Sequence, residues 1–323
     1  MRDGKRCIGI LTSGGDSPGM NAAIRSSVRT AINRNIIPLG IIRGYNGLLG
    51  NNYRVMTLKS VSNISKQGGT ILYTARCMEF YEAEYRKKAY ENAVKLGLDG
   101  LIVIGGDGSY NGAKALSELG LPCVGIPGTI DNDIACTEYT IGYDTAMNTV
   151  VDLVDKLSDT SQSHHRCSVV EVMGRNSGHV ALNTGIACCA TGIITKEVPV
   201  EIEEIAKRIL KAKEAGKEHF IIIVSEGVGK SEEIARKLEE LTGIDSRATI
   251  LGHVQRGGAP SLRDRVVASQ MGNYAVELLD KGTGNRVVAI KANKIVDYDI
   301  QEALNMKKSL DMDLYRVMCE IGI

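Results

Sequence analysis

Short apolar runs recur along the chain, separated by longer stretches whose apolar residues return every three or four positions. The runs fall at 6–11, 36–42, 101–104, 123–126, 168–172, 220–224, 248–251 and 286–290. Several contain no polar residue, which predicts strands buried on both faces. The stretches between them read as amphipathic helices. Segment 201–215 opens with Glu201, Glu203 and Glu204, carries Lys211 and Lys213 near its end, and is stopped by Gly216. Its Ile202, Ile205, Ile209 and Leu210 share one face, and its charges complement the helix dipole. Ser231 is placed to cap the next helix, which Gly243 ends. Pro18 suits the first turn of a helix through Ala22, Ala23, Ile24 and Val28, and another helix is expected from Thr145 to about Ser161. Strands alternating with helices predict βαβ units, hence an α/β fold with largely parallel sheets.

Length and composition narrow the picture. A chain of 323 residues accommodates two α/β domains, and Gly142, just ahead of the long helix, marks a boundary near 140–145. The net charge of +1 gives no global field for nucleic acid or an anionic membrane, so an anionic ligand must be held by local arginines. With 4% aromatics and no Trp, the chain lacks the stacking surface that single-stranded nucleic acid needs. The apolar run at 7–11 is too short for a secretory signal, and no stretch approaches the ~20 apolar residues of a membrane span. Eight cysteines show no CxxC pair, so reduced thiols and a cytoplasmic location are expected and zinc is not.

The 36 glycines cluster where apolar runs end. Three loops share one plan, in which a strand ends, glycines follow and aspartate appears: 12–21 around Gly14, Gly15 and Asp16, then 105–109, then 127–133 with Asp131 and Asp133. In open α/β sheets ligands bind beyond the carboxyl ends of strands, where glycines let backbone N–H groups meet phosphate oxygens. The same loops also fit tight βα turns with a capping aspartate. Neither a P-loop lysine nor a complete dinucleotide fingerprint follows any of them. Aspartate repels phosphate, so at a polyanion site it needs a purpose: holding Mg²⁺ with waters and phosphate oxygens, or accepting the proton of an attacking hydroxyl. Asp107, among glycines beside Ser109, suits the metal role. Asp131 and Asp133 would face opposite ways on an extended chain, whereas a turn brings both to one site; Asp133 also fits a turn-stabilising role.

A second set is basic: Arg76, Arg166, Arg175, Arg247, His253 and Arg256, all at loops or element ends. His253 and Arg256 share a face on a helical turn, and forked guanidinium donors suit a phosphomonoester, although arginines are more often solvated surface residues. Glu226 stands at a strand's carboxyl edge, where it can accept hydrogen bonds from sugar hydroxyls.

Six segments carry a resemblance: TSGGDSPGMNAAIR at 12–25, IGGDGSYNGA at 104–113, PGTIDNDI at 127–134, SQSHHR at 161–166, VVEVMGRNSGH at 169–179 and RATILGHVQRGGAP at 247–260. In this order, and over essentially its full length, the chain closely resembles the bacterial ATP-dependent 6-phosphofructokinases. The resemblance implies two doubly wound three-layer α/β/α domains with the active site in the cleft between them. The larger, ATP-binding one would take 1–142 and 255–305, and the smaller, fructose 6-phosphate-binding one 143–254 and 306–323. It implies in-line transfer of the γ-phosphoryl group of ATP to the 1-hydroxyl of fructose 6-phosphate, the committed step of glycolysis, with Mg²⁺.

Carried over residue by residue, Gly15, Arg76, Cys77, Gly106, Asp107, Gly108 and Ser109 match the ATP site, with Asp107 the Mg²⁺ ligand. Asp131 matches the catalytic base, with Thr129, Asp133, Arg175 and Arg76 as its catalytic companions. Thr129, Ile130, Asp131, Arg166, Met173, Gly174, Arg175, Glu226, Arg247, His253 and Arg256 match the sugar-phosphate site. In the resembled family Arg166 and Arg247 reach that site from a neighbouring subunit, so a homotetramer is expected. Pyrophosphate-using relatives typically carry Asp at the position of Gly108 and Lys at that of Gly128; glycine at both implies ATP as donor. For an ADP or phosphoenolpyruvate effector site, Arg25, Arg29, Lys217 and His219 match, whereas Ser158, Thr191 and Asn63 replace an arginine, a glutamate and an aspartate. Weak or altered effector control is expected.

Overall fold

The apolar runs become strands. The computed structural model describes residues 4–322, so the expected domain ends at 1–3 and 323 lie outside the described residues. Its strands are β1 (Cys7–Thr12), β2 (Ile37–Ile41), β3 (Tyr53–Val55), β4 (Gly100–Gly105), β5 (Cys123–Pro127), β6 (Cys167–Val172), β7 (Gly192–Ile194), β8 (Phe220–Ser225), β9 (Ser246–Ile250), β10 (Arg286–Lys291) and β11 (Lys294–Asp299). All positions of β1, β4, β5 and β8 are buried, as continuous Ile, Leu and Val runs require of strands covered on both faces.

The chain divides into two compact units. The first comprises Met1–Ile130, Ile134–Thr145 and Arg256–Lys308, and the second Asp131–Asp133, Ala146–Gln255 and Ser309–Ile323. The cut at Thr145 falls inside the helix Tyr143–His164, past the glycine that marked the expected boundary, and the short piece Asp131–Asp133 joins the second unit although its flanks belong to the first.

The first unit is built on a sheet of order β11-β10-β5-β4-β1-β2-β3, parallel except for its two edge strands β3 and β11. Register pairs Thr12 with Ile104 and Gly105 with Pro127, so the loops after β1, β4 and β5 leave from one edge. On this unit the helices Met20–Asn33 and Leu262–Asp280 approach closely: a Cβ on Gly272 would lie 2.6 Å from the Ala23 carbonyl oxygen. The second unit is built on an all-parallel sheet of order β7-β8-β6-β9. Its core gathers Val169, Ile205, Ile209, Phe220, Ile222 and Leu238 from strands and covering helices. Val172 pairs with Ser225 and Glu171 with Ile250, so the loops after β6, β8 and β9 also share one edge.

Local details depart from expectation for physical reasons. The first helix starts at Met20 rather than around Pro18, because Gly19 adopts φ 111°, a left-handed conformation in which a Cβ would sit 2.6 Å from Ile141 Cγ2. Ser231 does not cap its helix. It is the first residue of Ser231–Thr242, its hydroxyl donates to Glu171 Oε2 at 2.5 Å, and Lys230 takes the left-handed cap position. Three strands were not anticipated: β3 and β7 have three residues each, too short to show a period, and β11 mixes polar and apolar residues as a half-exposed antiparallel edge does. Among the described residues no helix is long and apolar enough to cross a membrane.

Candidate active site

In the first sheet the chain passes from β1 to β2 on one side and returns to β4 on the other. At such a switch point neighbouring loops diverge and open a crevice beyond the strand ends. The glycine loops after β1 and β4 stand there and are tied together. The Ser13 N–H donates to the Ile104 carbonyl at 3.0 Å, and the hydroxyl of buried Ser109 donates to the Ser13 carbonyl at 3.1 Å. A Cβ at Gly105 would lie 2.5 Å from both Ser109 Oγ and Ser13 O, so only glycine permits this closure. The third loop joins through the Gly128 N–H, which donates to the Gly105 carbonyl at 3.0 Å.

Gly106 precedes the helix Asp107–Glu118, whose first residue, Asp107, is exposed. A Cβ on Gly108 would meet nothing within 4 Å, whereas one on Gly128 would press on Met20 Cε at 3.0 Å and Ile104 Cγ2 at 3.1 Å. Arg256 lies against Gly15, with Nη1 3.5 Å from the position of a Cβ there. Arg76 is exposed in the loop before the turn Met78–Tyr81, its carbonyl accepting from Asn46 Nδ2 at 3.5 Å. Cys77 follows it, half-buried, and burial pushes its thiol up from the ordinary range. The Thr129 carbonyl accepts the Thr140 hydroxyl at 2.7 Å, and Ile130 is buried. The helix start and the exposed carboxylate of Asp107 fit a metal shared with phosphate oxygens. Among the described residues no group of three or more His, Cys, Asp or Glu forms a protein cage for an ion, and Mg²⁺ commonly makes do with one or two carboxylates.

The second unit gathers a different set. The Asp131 carboxylate is 2% exposed and lies 3.2 Å, Oδ2 to Nε, from Arg175. Asn132 takes φ 49°, so the segment turns between Asp131 and half-buried Asp133. The loop after β6 is strained, with φ 143° at Gly174 and 54° at Arg175, and two side chains from outside it hold it. Glu226 Oε1 accepts the N–H of Gly174 at 3.2 Å and of Arg175 at 2.5 Å, and Gln255 Oε1 accepts that of Met173 at 3.1 Å. His253 is exposed on the turn Gly252–Arg256. Arg166 and Arg247 converge on one carboxylate: Asp245 Oδ2 accepts Arg166 Nε at 2.6 Å and Oδ1 accepts Arg247 Nε at 2.9 Å. The bond from Arg247, then that from Arg166, holds the Asp245 carboxyl below its usual range against the opposing effect of desolvation.

Of the expected effector residues, those of the second unit pair among themselves. Ser158 Oγ lies 3.2 Å from His219 Nε2, and Lys217 Nζ donates to Thr191 Oγ1 at 3.0 Å, while burial draws the Lys217 ammonium below its usual range. Arg25 and Arg29 are on the helix Met20–Asn33 of the first unit, and Asn63 stands at φ 60° ahead of the short turn Ile64–Lys66.

Residues 7–279 match the protein family described as phosphofructokinase. The chain belongs to the phosphofructokinase family. It is 54% identical to a Bacillus cytotoxicus protein named ATP-dependent 6-phosphofructokinase, over 98% of this chain and 99% of the relative. A Bacillus pumilus protein of the same name is 52% identical over the same shares. Among solved structures, phosphofructokinase from Saccharomyces cerevisiae superposes with a TM-score of 0.89 at 36% identity; the match covers 99% of this chain and 48% of that one, so this chain spans about half of the yeast polypeptide. Two side chains that the sequence did not single out now stand out: Asp245, which gathers two of the expected arginines, and Gln255, buried on the turn that carries His253 and bonded to Met173 and Gly252. Asp245 lies 79 residues from Arg166, and nothing in the linear pattern joins them.

Proposed function

We propose that this chain transfers the γ-phosphoryl group of ATP to the 1-hydroxyl of fructose 6-phosphate, giving fructose 1,6-bisphosphate and ADP. The observation that carries the reading is the near full-length identity to relatives named for that reaction. The first unit is the ATP-binding domain, and Gly15, Gly106, Gly108, Ser109, Arg76 and Cys77 line its nucleotide site. The open space at Gly108 and the apolar wall at Gly128 support ATP over pyrophosphate, since an aspartate and a lysine at these positions would fill the first and crowd the second.

The sugar phosphate is bound by Met173, Gly174, Arg175, Glu226 and His253, together with Thr129, Ile130 and Arg256. Asp131 takes the proton of the attacking hydroxyl, and the guanidinium of Arg175, 3.2 Å away, keeps its carboxylate oriented. Asp133 shapes the turn that presents it. Arg76 and backbone N–H groups balance the charge spread over the transferring phosphoryl group, in direct in-line displacement without a covalent enzyme intermediate. Asp107 would hold Mg²⁺, which when bound neutralises charge on the phosphate oxygens.

Arg166 and Arg247, fixed side by side by Asp245, are suited to serve a neighbouring copy's sugar-phosphate site, which makes the working form a homotetramer in the cytoplasm. An ADP or phosphoenolpyruvate effector would meet a site whose Lys217 and His219 are already engaged by Thr191 and Ser158, so its effect is weak. The decisive test is a coupled assay with fructose 6-phosphate comparing ATP with pyrophosphate. Product with ATP alone is expected, and turnover with pyrophosphate alone refutes the donor assignment.

A further inference from the structure

We propose that Gln255 is a positioning residue for the sugar-phosphate site: its carboxamide locks the loop after β6 to the turn that carries His253. The proposal rests on the phosphoryl-transfer reading above. Gln255 is 0% exposed, so it acts through what it holds and not by touching the sugar. Its Oε1 accepts the Met173 N–H at 3.1 Å and its Nε2 donates to the Gly252 carbonyl at 3.0 Å. A backbone N–H only donates and a carbonyl only accepts, so the partners themselves fix which end of the amide is oxygen.

The loop needs this hold. Gly174 and Arg175 both have positive φ, and the Arg175 conformation is one that side chains other than glycine seldom adopt. Within the loop the Ser177 N–H donates to the Gly174 carbonyl at 2.9 Å. Gln255 and Glu226 together take three consecutive N–H groups, those of Met173, Gly174 and Arg175. Glu226 fixes the half nearest the guanidinium that reaches Asp131. Gln255 fixes the other half and joins it to Gly252, next in sequence to His253. The two segments proposed to grip the sugar phosphate therefore keep one spacing, and a group displaced by even about 1 Å loses much of its effect on binding and rate.

Two variants of the full chain test this, Gln255→Glu and Gln255→Met. A protonated carboxylic acid reproduces the amide's pattern, accepting from Met173 and donating to Gly252. The carboxylate has no donor and turns an anionic oxygen toward the Gly252 carbonyl. Burial raises a carboxyl's pKa, so the variant should titrate within the working range of the enzyme. The KM of Gln255→Glu for fructose 6-phosphate, relative to wild type at the same pH, should be within about threefold at pH ~6 and rise at least about tenfold by pH ~8.5, with KM for ATP nearly unmoved. Glu226 holds the same loop, whose Arg175 reaches Asp131, and His253 stands on the turn that carries Gln255; these charged groups are common to wild type and variant, so the ratio isolates the change at 255. Gln255→Met should show the raised KM at every pH, a larger change in KM than in kcat, and faster amide exchange at 173–175 than in β6.

A pH-independent ratio for Gln255→Glu overturns the proposal, as does an unchanged sugar-phosphate KM in Gln255→Met or an equal rise in both substrates' KM. Wild-type protein with no activity on fructose 6-phosphate and ATP removes the reaction reading itself and this role with it. An active wild type with unresponsive variants removes this role alone.

Discussion

Replacing Asp131 by Asn separates chemistry from architecture, because the structure gives each a different magnitude. The carboxylate is 2% exposed and its partner, Arg175 Nε, is 3.2 Å away. Unit charges at that distance attract by about 5 kcal/mol at an effective dielectric of ~20 and by about 1.3 kcal/mol in water. Arg175 is 51% exposed, so solvent screens the pair and the lower figure is the better guide to stability. The amide keeps the shape of the side chain, so a loss of about 1 kcal/mol and a melting shift of a few degrees are expected. Loss of a general base costs far more, about 10²–10⁴ in rate, and a ~10³-fold fall in kcat corresponds to about 4 kcal/mol of barrier. The assay follows ADP release at saturating ATP and fructose 6-phosphate, with KM for ATP and the thermal melt measured on the same preparation. The expected pattern is a collapsed kcat, an ATP KM within about twofold of wild type and a melt lowered by no more than a few degrees. A kcat within tenfold of wild type in a folded variant removes Asp131 from proton transfer, and a fall in kcat matched by an equal loss of ATP binding would assign it to the wrong substrate.

Three further outcomes follow from particular contacts. Gly227→Ala places a Cβ 2.3 Å from the Arg175 carbonyl oxygen, so the loop must shift; a stability loss of about 1–3 kcal/mol and a raised KM for fructose 6-phosphate are expected, and an unaltered melt with unaltered KM would contradict the packing. Asp264 is fully buried and accepts from the Tyr139 hydroxyl at 2.6 Å, the Gly142 N–H at 2.7 Å, and the Thr145 N–H and hydroxyl at 2.9 and 2.5 Å. Asp264→Asn turns an NH₂ toward one of these donors and should cost about 3 kcal/mol in chemical denaturation; a loss below about 1 kcal/mol would mean that the site tolerates a donor. Titrating ADP and phosphoenolpyruvate at low fructose 6-phosphate should move the rate by less than about twofold, against the 5–150-fold range usual for allosteric coupling, and a steeply sigmoidal curve relieved by ADP would sink the claim of weak control.

What the linear pattern reveals depends on whether a residue's environment comes from its own neighbours or from other strands. β4 and β8 are legible because each position is apolar, and no register is needed to see that both faces are covered. β11 is not, since its polar residues are satisfied by the neighbouring strand and a helix: Asp297 accepts Arg286 Nε at 2.5 Å and the hydroxyl of Tyr274, on the helix Leu262–Asp280, at 2.6 Å. The glycine loops were legible for a related reason, as Gly105 has no alternative once Ser109 and Ser13 close on it. Glu226 was recognisable as a carboxylate at a strand's edge, but its attachment to Gly174 and Arg175 exists only because β8 lies beside β6. The same holds for Gln255, which reaches Met173 because β9 flanks β6 on the other side. With β6 central and parallel neighbours on both sides, loops from three strands end at one edge, and each outer loop lends a side chain that accepts backbone N–H groups of the middle one. A strained conformation at Arg175 is thus held by sheet order and not by its local sequence, which is why the segment 169–179 could point to Arg175 as a candidate without disclosing what keeps it in place.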